Sequence, residues 1–108
     1  TGDGFITAFS GPTRAIQCAQ EIRSELASFD LRVKAGIHTG ECERRGQDLG
    51  GLAVHIAARI LDSSAPDQIL VSSTVKDLVV GSGLSLDHVG TRSLKGVPGE
   101  WALYAPDG

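Results

Sequence analysis

Four short stretches of this 108-residue chain put chemically capable side chains where a charged ligand could meet them. Gly2-Asp3-Gly4 runs into an apolar segment. A carboxylate flanked by glycines can approach a hard cation or a phosphate closely, because no Cβ stands in the way. Taken alone, Gly-Asp-Gly is more often a plain turn. Asp48 lies just ahead of a periodic apolar segment, where an Asp ordinarily serves a helix terminus through capping or the dipole. His55 and Arg59 are four apart and share one face of any helix that holds them. Such a like-signed pair is mildly unfavourable when the His is charged, so the face suits an anionic visitor, or it is simply a solvated polar stripe. Lys95, within Leu94-Lys95-Gly96-Val97-Pro98-Gly99, is a point charge at a hairpin and can bind phosphate, though most such lysines stand in water.

These residues need elements to position them. Phe5 to Phe9 is short, apolar and β-compatible, and Ser10-Gly11-Pro12 reads as a helix start with Pro12 at the first helical position. Ala15, Cys18, Ala19, Ile22 and Leu26 then recur at three- and four-residue spacing, which predicts an amphipathic helix over Pro12 to Ser28. Leu31, Val33, Ala35 and Ile37 alternate with Arg32, Lys34, Gly36 and His38, the pattern of a half-buried strand. Glu41 to Arg45 continues as strand or hairpin, and Gly46-Gln47-Asp48 reads as a loop. A second helix is expected from Gly50 to Leu61, with Leu52, Ile56 and Ile60 on its apolar face. Ile69-Leu70-Val71 predicts a buried strand within Gln68 to Ser72. Ser73 or Thr74 can cap a short helix running through Val79. Leu84 to Leu94 and Trp101 to Ala105 read as two strands joined by the turn from Lys95 to Glu100. The order strand, helix, strand, helix, strand, short helix, strand, strand suits one α/β (α+β) domain, residues 1–108, in which a sheet carries packed helices.

The bulk properties exclude some classes of function. A net charge of −3 gives no basic footprint, so no nucleic acid polymer or anionic membrane is expected as a partner. No apolar run approaches the roughly 18 residues that span a bilayer. Cys18 and Cys42 are too few and too isolated for a disulfide framework or a zinc site. Cys18 falls on the apolar side of the first predicted helix, where Cys acts as a small hydrophobe, and free cysteines suit a reducing, intracellular compartment. The chain opens on Thr1 and contains no Met, so the expectation is that a larger protein extends upstream.

In this order and at these separations, the stretches Gly2-Asp3-Gly4-Phe5, Ala35-Gly36-Ile37-His38-Thr39-Gly40-Glu41, Asp48 through Val54-His55-Ile56-Ala57-Ala58-Arg59, and Leu94-Lys95-Gly96 resemble the class III adenylyl and guanylyl cyclase catalytic domain, bacterial type. The resemblance covers essentially the whole chain, and it is the combination that is specific. It implies a ferredoxin-like, palm-like sheet with helices packed on it, incomplete at its N-terminus. It also implies synthesis of 3′,5′-cyclic AMP and pyrophosphate from ATP, with two Mg²⁺ or Mn²⁺ ions per complete site, in a cytoplasmic homodimer.

Residue by residue, the resemblance implies that Asp3 is the second of two metal-binding aspartates, the first lying upstream together with the Lys that partners adenine. Asp48, seven residues before His55, matches the carboxylate that selects the base: it accepts from the adenine amino group but would face the O6 acceptor of guanine. Arg59 matches the Arg that stabilises charge on the α-phosphate in the transition state. Lys95 is the candidate triphosphate contact. His55 departs from the pattern, since the family usually has Asn there to orient the ribose; neutral His keeps one donor but differs in shape and tautomer. Sites in the family form between protomers, so Asp3 of one copy is expected to face Asp48, His55, Arg59 and Lys95 of another. Without an upstream strand to pair with Phe5 to Phe9, the isolated chain is expected to be less stable, or covered by association with a second copy, and weakly active or inactive. Two other readings stand beside this one: a cyclase-like regulatory or dimerisation module that has lost catalysis, and an unrelated ferredoxin-like binding module.

Overall fold

The structure, a computed structural model, describes residue 9, residues 11–41, 43–45 and 48–107. Of the strand expected over Phe5 to Phe9, Phe9 is described and is exposed outside any strand, and the rest, with Asp3, lies outside the described residues. Helix α1 (Pro12–Ala27) starts as its sequence predicts, with Pro12 in its first turn and Gly11 extended at the N-cap. It ends where Ser28 N–H and Oγ both bond the Glu25 carbonyl, and Asp30 turns the chain with a φ of 59°. Its one buried side chain is Ile16, which the spacing argument passed over. The expected face of Ala15, Cys18, Ala19, Ile22 and Leu26 is only half-buried, because the helix touches the sheet chiefly through Ile16 and Ala19.

Strand β1 (Ala35–Ile37) is much shorter than the alternation from Leu31 predicts. The reason lies in its neighbour β4 (Ile69–Ser72), which begins opposite Ala35 in a parallel pair. Before Ile69 the chain is a turn, with Gln68 N–H bonded to the Ala65 carbonyl, so residues 31–34 have no ladder to join on that side. Strands β2 (Glu43–Arg45) and β3 (Asp48–Gly50) form a separate antiparallel hairpin. Asp48, read from sequence as loop, therefore lies in a strand. The N-cap of helix α2 (Leu52–Ser63) is Gly51, whose φ of 106° is open to glycine and strained for other residues, and no side chain caps the helix there.

Helix α3 (Ser73–Leu78) is capped by Ser72, whose hydroxyl accepts from Val75 N–H, rather than by Ser73 or Thr74. Strands β5 (Leu86–Ser93) and β6 (Glu100–Pro106) pair antiparallel across the expected turn, with an irregularity between His88 and Gly90. The main sheet has the order β1-β4-β6-β5, parallel between β1 and β4 and antiparallel elsewhere. This is a mixed α/β arrangement.

Period-two alternation along β4 divides the core. Ile69 and Val71 face one way and pack with Ile16, Val75 and Val79 from α1 and α3. Leu70 faces the other way and joins Ile56 and Ile60 of α2, Leu94 and Val97 of the turn, and Leu103 of β6. The buried face of α2 is thus Ala53, Ile56 and Ile60, while Leu52, expected inside, is 64% exposed. The rotation of α2 is set by glycines in the β1 segment. A Cβ at Gly36 would stand 2.4 Å from Leu61 N and 2.6 Å from Ala57 O, and one at Gly40 would stand 3.0 Å from the Ala53 Cβ.

Candidate functional site

Helix α2 carries His55 and Arg59 one turn apart, on the flank of the helix next to its buried stripe. Ile56 and Ile60 anchor that stripe in the core, so both polar side chains are fixed at their stems and half-buried. The turn after β5 comes to meet them. Leu94 and Val97 are buried against α2, Val97 N–H bonds the Leu94 carbonyl, and Gly96 crosses the His55 ring with a φ of 78°. A Cβ on Gly96 would sit 3.3 Å from His55 Nε2, so the imidazole fills the space that a larger residue would need. Lys95, exposed, is the residue before this crossing. Two of the sequence-predicted site elements, the α2 face and the Lys95 turn, therefore meet at His55.

Arg59 has a divided environment. Its Nη1 donates to Asp62 Oδ2 at 3.1 Å, an exposed pair one turn along the helix. Its Nε is buried and has no acceptor among the described residues. An N–H aimed into a dry spot with no acceptor costs about 1–3 kcal/mol by itself, so the guanidinium is held by packing of its stem with donor capacity left over. Asp48 lies in β3, which packs against α2; its side chain is outside the described residues, as is the whole of Asp3. Among the described residues no three His, Cys, Asp or Glu side chains converge on a point, so the assignment of a cation rests on Asp3 and on the resemblance.

Sequence reasoning missed a cluster beside these residues. His38 Nδ1 lies 2.8 Å from the Oγ of Ser72, a fully buried residue, and its ring meets Trp101 edge-on, with centroids 5.5 Å apart and planes at 82°. Burial of the imidazole away from water lowers the His38 pKa below its ordinary value. Trp101 Nε1–H in turn donates to the Pro98 carbonyl in the Lys95 turn at 3.2 Å. No local pattern announces this group. It depends on the parallel register of β1 against β4, which joins residues 34 apart in sequence.

The architecture has close counterparts among solved structures. The adenylate/guanylate cyclase/hydrolase from Silicibacter pomeroyi superposes with a TM-score of 0.83 at 26% identity, over 98% of this chain and 67% of that one. The adenylyl cyclase CyaB from P. aeruginosa gives 0.62 at 20% identity, over 86% of this chain and 53% of that one. In sequence, the chain is 34% identical over 107 residues to an uncharacterized protein of Mycobacterium tuberculosis, covering 94% of this chain and spanning 37% of the length of that relative. No family model matches the chain. The chain is a class III cyclase-like domain, with a mixed sheet and helices arranged as in the adenylate/guanylate cyclases. Among the described residues, no helix is long and apolar enough to cross a membrane.

Proposed function

We propose that this single domain, residues 1–108, belongs to an adenylate cyclase that converts ATP to 3′,5′-cyclic AMP and pyrophosphate. The ribose 3′-oxygen attacks the α-phosphorus and loses its proton. The bond from that phosphorus to the bridging oxygen breaks, and pyrophosphate leaves. The observation that carries the reading is the seating of the Lys95–Gly96 turn on His55, one helical turn from Arg59 on the same flank of α2, in a fold shared with an adenylate/guanylate cyclase/hydrolase.

In this reading Arg59 opposes the charge that builds on the α-phosphate. Its stem is half-buried on α2 and its Nη1 end is engaged by the exposed Asp62, a pair weak enough to yield to charge developing on a phosphate. Lys95, exposed on a turn seated against His55, is a mobile point charge for the outer phosphates. His55 donates one hydrogen bond toward the ribose, and Asp48 accepts from the adenine amino group. Asp3 is the residue that would hold divalent cations, Mg²⁺ or Mn²⁺, which when bound lower the pKa of the 3′-hydroxyl and offset triphosphate charge. Asp3 of one copy faces Asp48, His55, Arg59 and Lys95 of a second, so the working unit is a two-fold homodimer. This reading takes the activity to be cytoplasmic, on the ATP pool and the two isolated cysteines of the sequence, and its product to serve signal transduction.

A second reading is a cyclase-like regulatory or dimerisation module without catalysis. It is favoured by His55, where the family usually has Asn, with its ring packed against Gly96 rather than left open. The deciding measurement is cyclic AMP formed from ATP with Mn²⁺ by the full-length gene product. Activity that is abolished by Asp3→Ala supports the cyclase. A protein silent with both ATP and GTP would establish the regulatory module instead.

A further inference from the structure

His38 stands just past β1, and the parallel pairing of Ile37 with Val71 brings it opposite Ser72. The Ser72 hydroxyl has two hydrogen-bonding neighbours among the described residues. It accepts from Val75 N–H at 3.3 Å, as the cap of α3, and it lies 2.8 Å from His38 Nδ1. A hydroxyl has one proton to give and two lone pairs to offer. If Nδ1 carried the imidazole proton, Ser72 Oγ would accept twice. Its own proton would then point into an interior where Ser72 is 0% exposed, and that proton would lack an acceptor. With the proton on Nε2, the hydroxyl donates to Nδ1 and accepts from Val75 N–H, so its own proton has an acceptor. The same ring presses on Trp101, and Trp101 tethers Pro98 through its indole N–H.

Leu94 and Val97 already seat the near side of this turn in the core, with or without His38. The outer arm is different. Pro98 and Gly99 are exposed, and beyond the Ser93–Glu100 end of the β5–β6 ladder the side-chain tie from this arm to the sheet is the Trp101 bond.

We propose that His38, held by the Ser72 hydroxyl as the neutral Nε2–H tautomer, is a positioning residue: through Trp101 it fixes the outer arm of the Leu94–Gly99 turn, Pro98 and Gly99, beside the segment that carries Lys95. It does not touch the nucleotide. Its bearing on ATP chemistry rests on the proposed function, whereas the tautomer and the turn position do not. The burial that lowers its pKa also keeps the imidazole neutral near pH 7.

The test reads the tautomer first, in wild-type protein that is ¹⁵N-labelled, by long-range proton–nitrogen correlation of the imidazole above neutral pH. Nδ1 is expected to resonate as the unprotonated nitrogen and Nε2 as the protonated one. The second readout compares His38→Phe, which keeps a ring but has no acceptor, with His38→Asn, whose Oδ1 stands in for Nδ1 as an acceptor. His38→Phe is expected to shift the Trp101 indole N–H and the backbone amides of Gly99 and Glu100. His38→Asn is expected to return the Ser72 and Val75 amides to near their wild-type positions.

A protonated Nδ1 would overturn the proposal, and this observation needs no variant to fold. So would His38→Phe amide positions unchanged across the turn. Turnover of ATP is assayed on the same samples in parallel. Tautomer and turn shifts as expected, in a protein that makes no cyclic AMP, would support the positioning role and sink the cyclase reading alone.

Discussion

Arg59 has its Nε buried without an acceptor among the described residues while its Nη1 leans on an exposed carboxylate, so it is held by its stem and not by its charge. The Asp62 partner is 62% exposed, and pairs of that kind are worth at most about 1 kcal/mol. Asp62→Ala should therefore leave the unfolding free energy within about 0.5 kcal/mol of wild type, read from urea denaturation. Arg59→Ala should do something else. If the guanidinium meets charge on the α-phosphate, kcat should fall by about 10²- to 10³-fold, the usual loss when one preorganised donor is removed, while thermal stability stays close to wild type. A drop in stability that matches the loss of activity would assign Arg59 a structural role.

His38 makes a prediction of a different kind, because its protonation is coupled to folding. Burial lowers its pKa from 6.5 in the folded chain, so between the folded value and 6.5 the unfolded chain binds more protons. Stability from this group is fully present above 6.5 and is lost as pH falls through the folded pKa. The neighbours that press on the ring, Ser72 and Trp101, do not titrate in that range. Urea midpoints measured from about pH 8 down to about pH 5 should fall for wild type and fall less steeply for His38→Asn, which has no imidazole to protonate. Parallel curves would place the acid sensitivity elsewhere.

At the scale of elements, the contact between β1 and α2 decides where the site residues stand, and Gly36 is its closest point. A methyl group there would meet backbone atoms of Ala57 and Leu61, which cannot rotate aside as a side chain can. Gly36→Ala should cost about 1–3 kcal/mol through overpacking, with an unchanged denaturant slope, and it should lower activity as α2 lifts from the sheet. This contact also explains what could be read from the residues beforehand and what could not. Local patterning located helices α1, α2 and α3 and strands β4, β5 and β6 to within a residue or two at most ends, because the apolar period and the Pro12 start signal act within one element. The rotation of α2, with Leu52 outside and Ala53 inside, was not legible, since it depends on glycines more than a dozen residues upstream. The shortness of β1 was hidden for the same reason: alternation reports which face a strand buries, not whether a neighbouring strand is long enough to pair with it. Of the site, the shared face of His55 and Arg59 followed from their spacing. The seat of Gly96 on His55, and the group formed by His38, Ser72 and Trp101, needed the fold.

For the whole molecule, the question is how many chains make one site. The proposed catalytic set divides between Asp3 on one side and the α2 flank with its turn on the other. If those two halves meet only across a two-fold axis, two differently damaged copies can complement each other. Asp3→Ala and Arg59→Ala, each in the full-length gene product, should be close to inactive when pure. Mixed in equal amounts and allowed to exchange, half the dimers carry one of each. In such a dimer, one site combines the intact Asp3 with the intact Arg59 and the other combines both lesions. Recovered cyclic AMP synthesis should then be about a quarter of wild type at the same total protein, as random pairing in a two-fold dimer requires. A mixture no more active than its components, under conditions where exchange is shown by mass, would mean that each site is built within one chain, and the homodimer would lose its place in the mechanism.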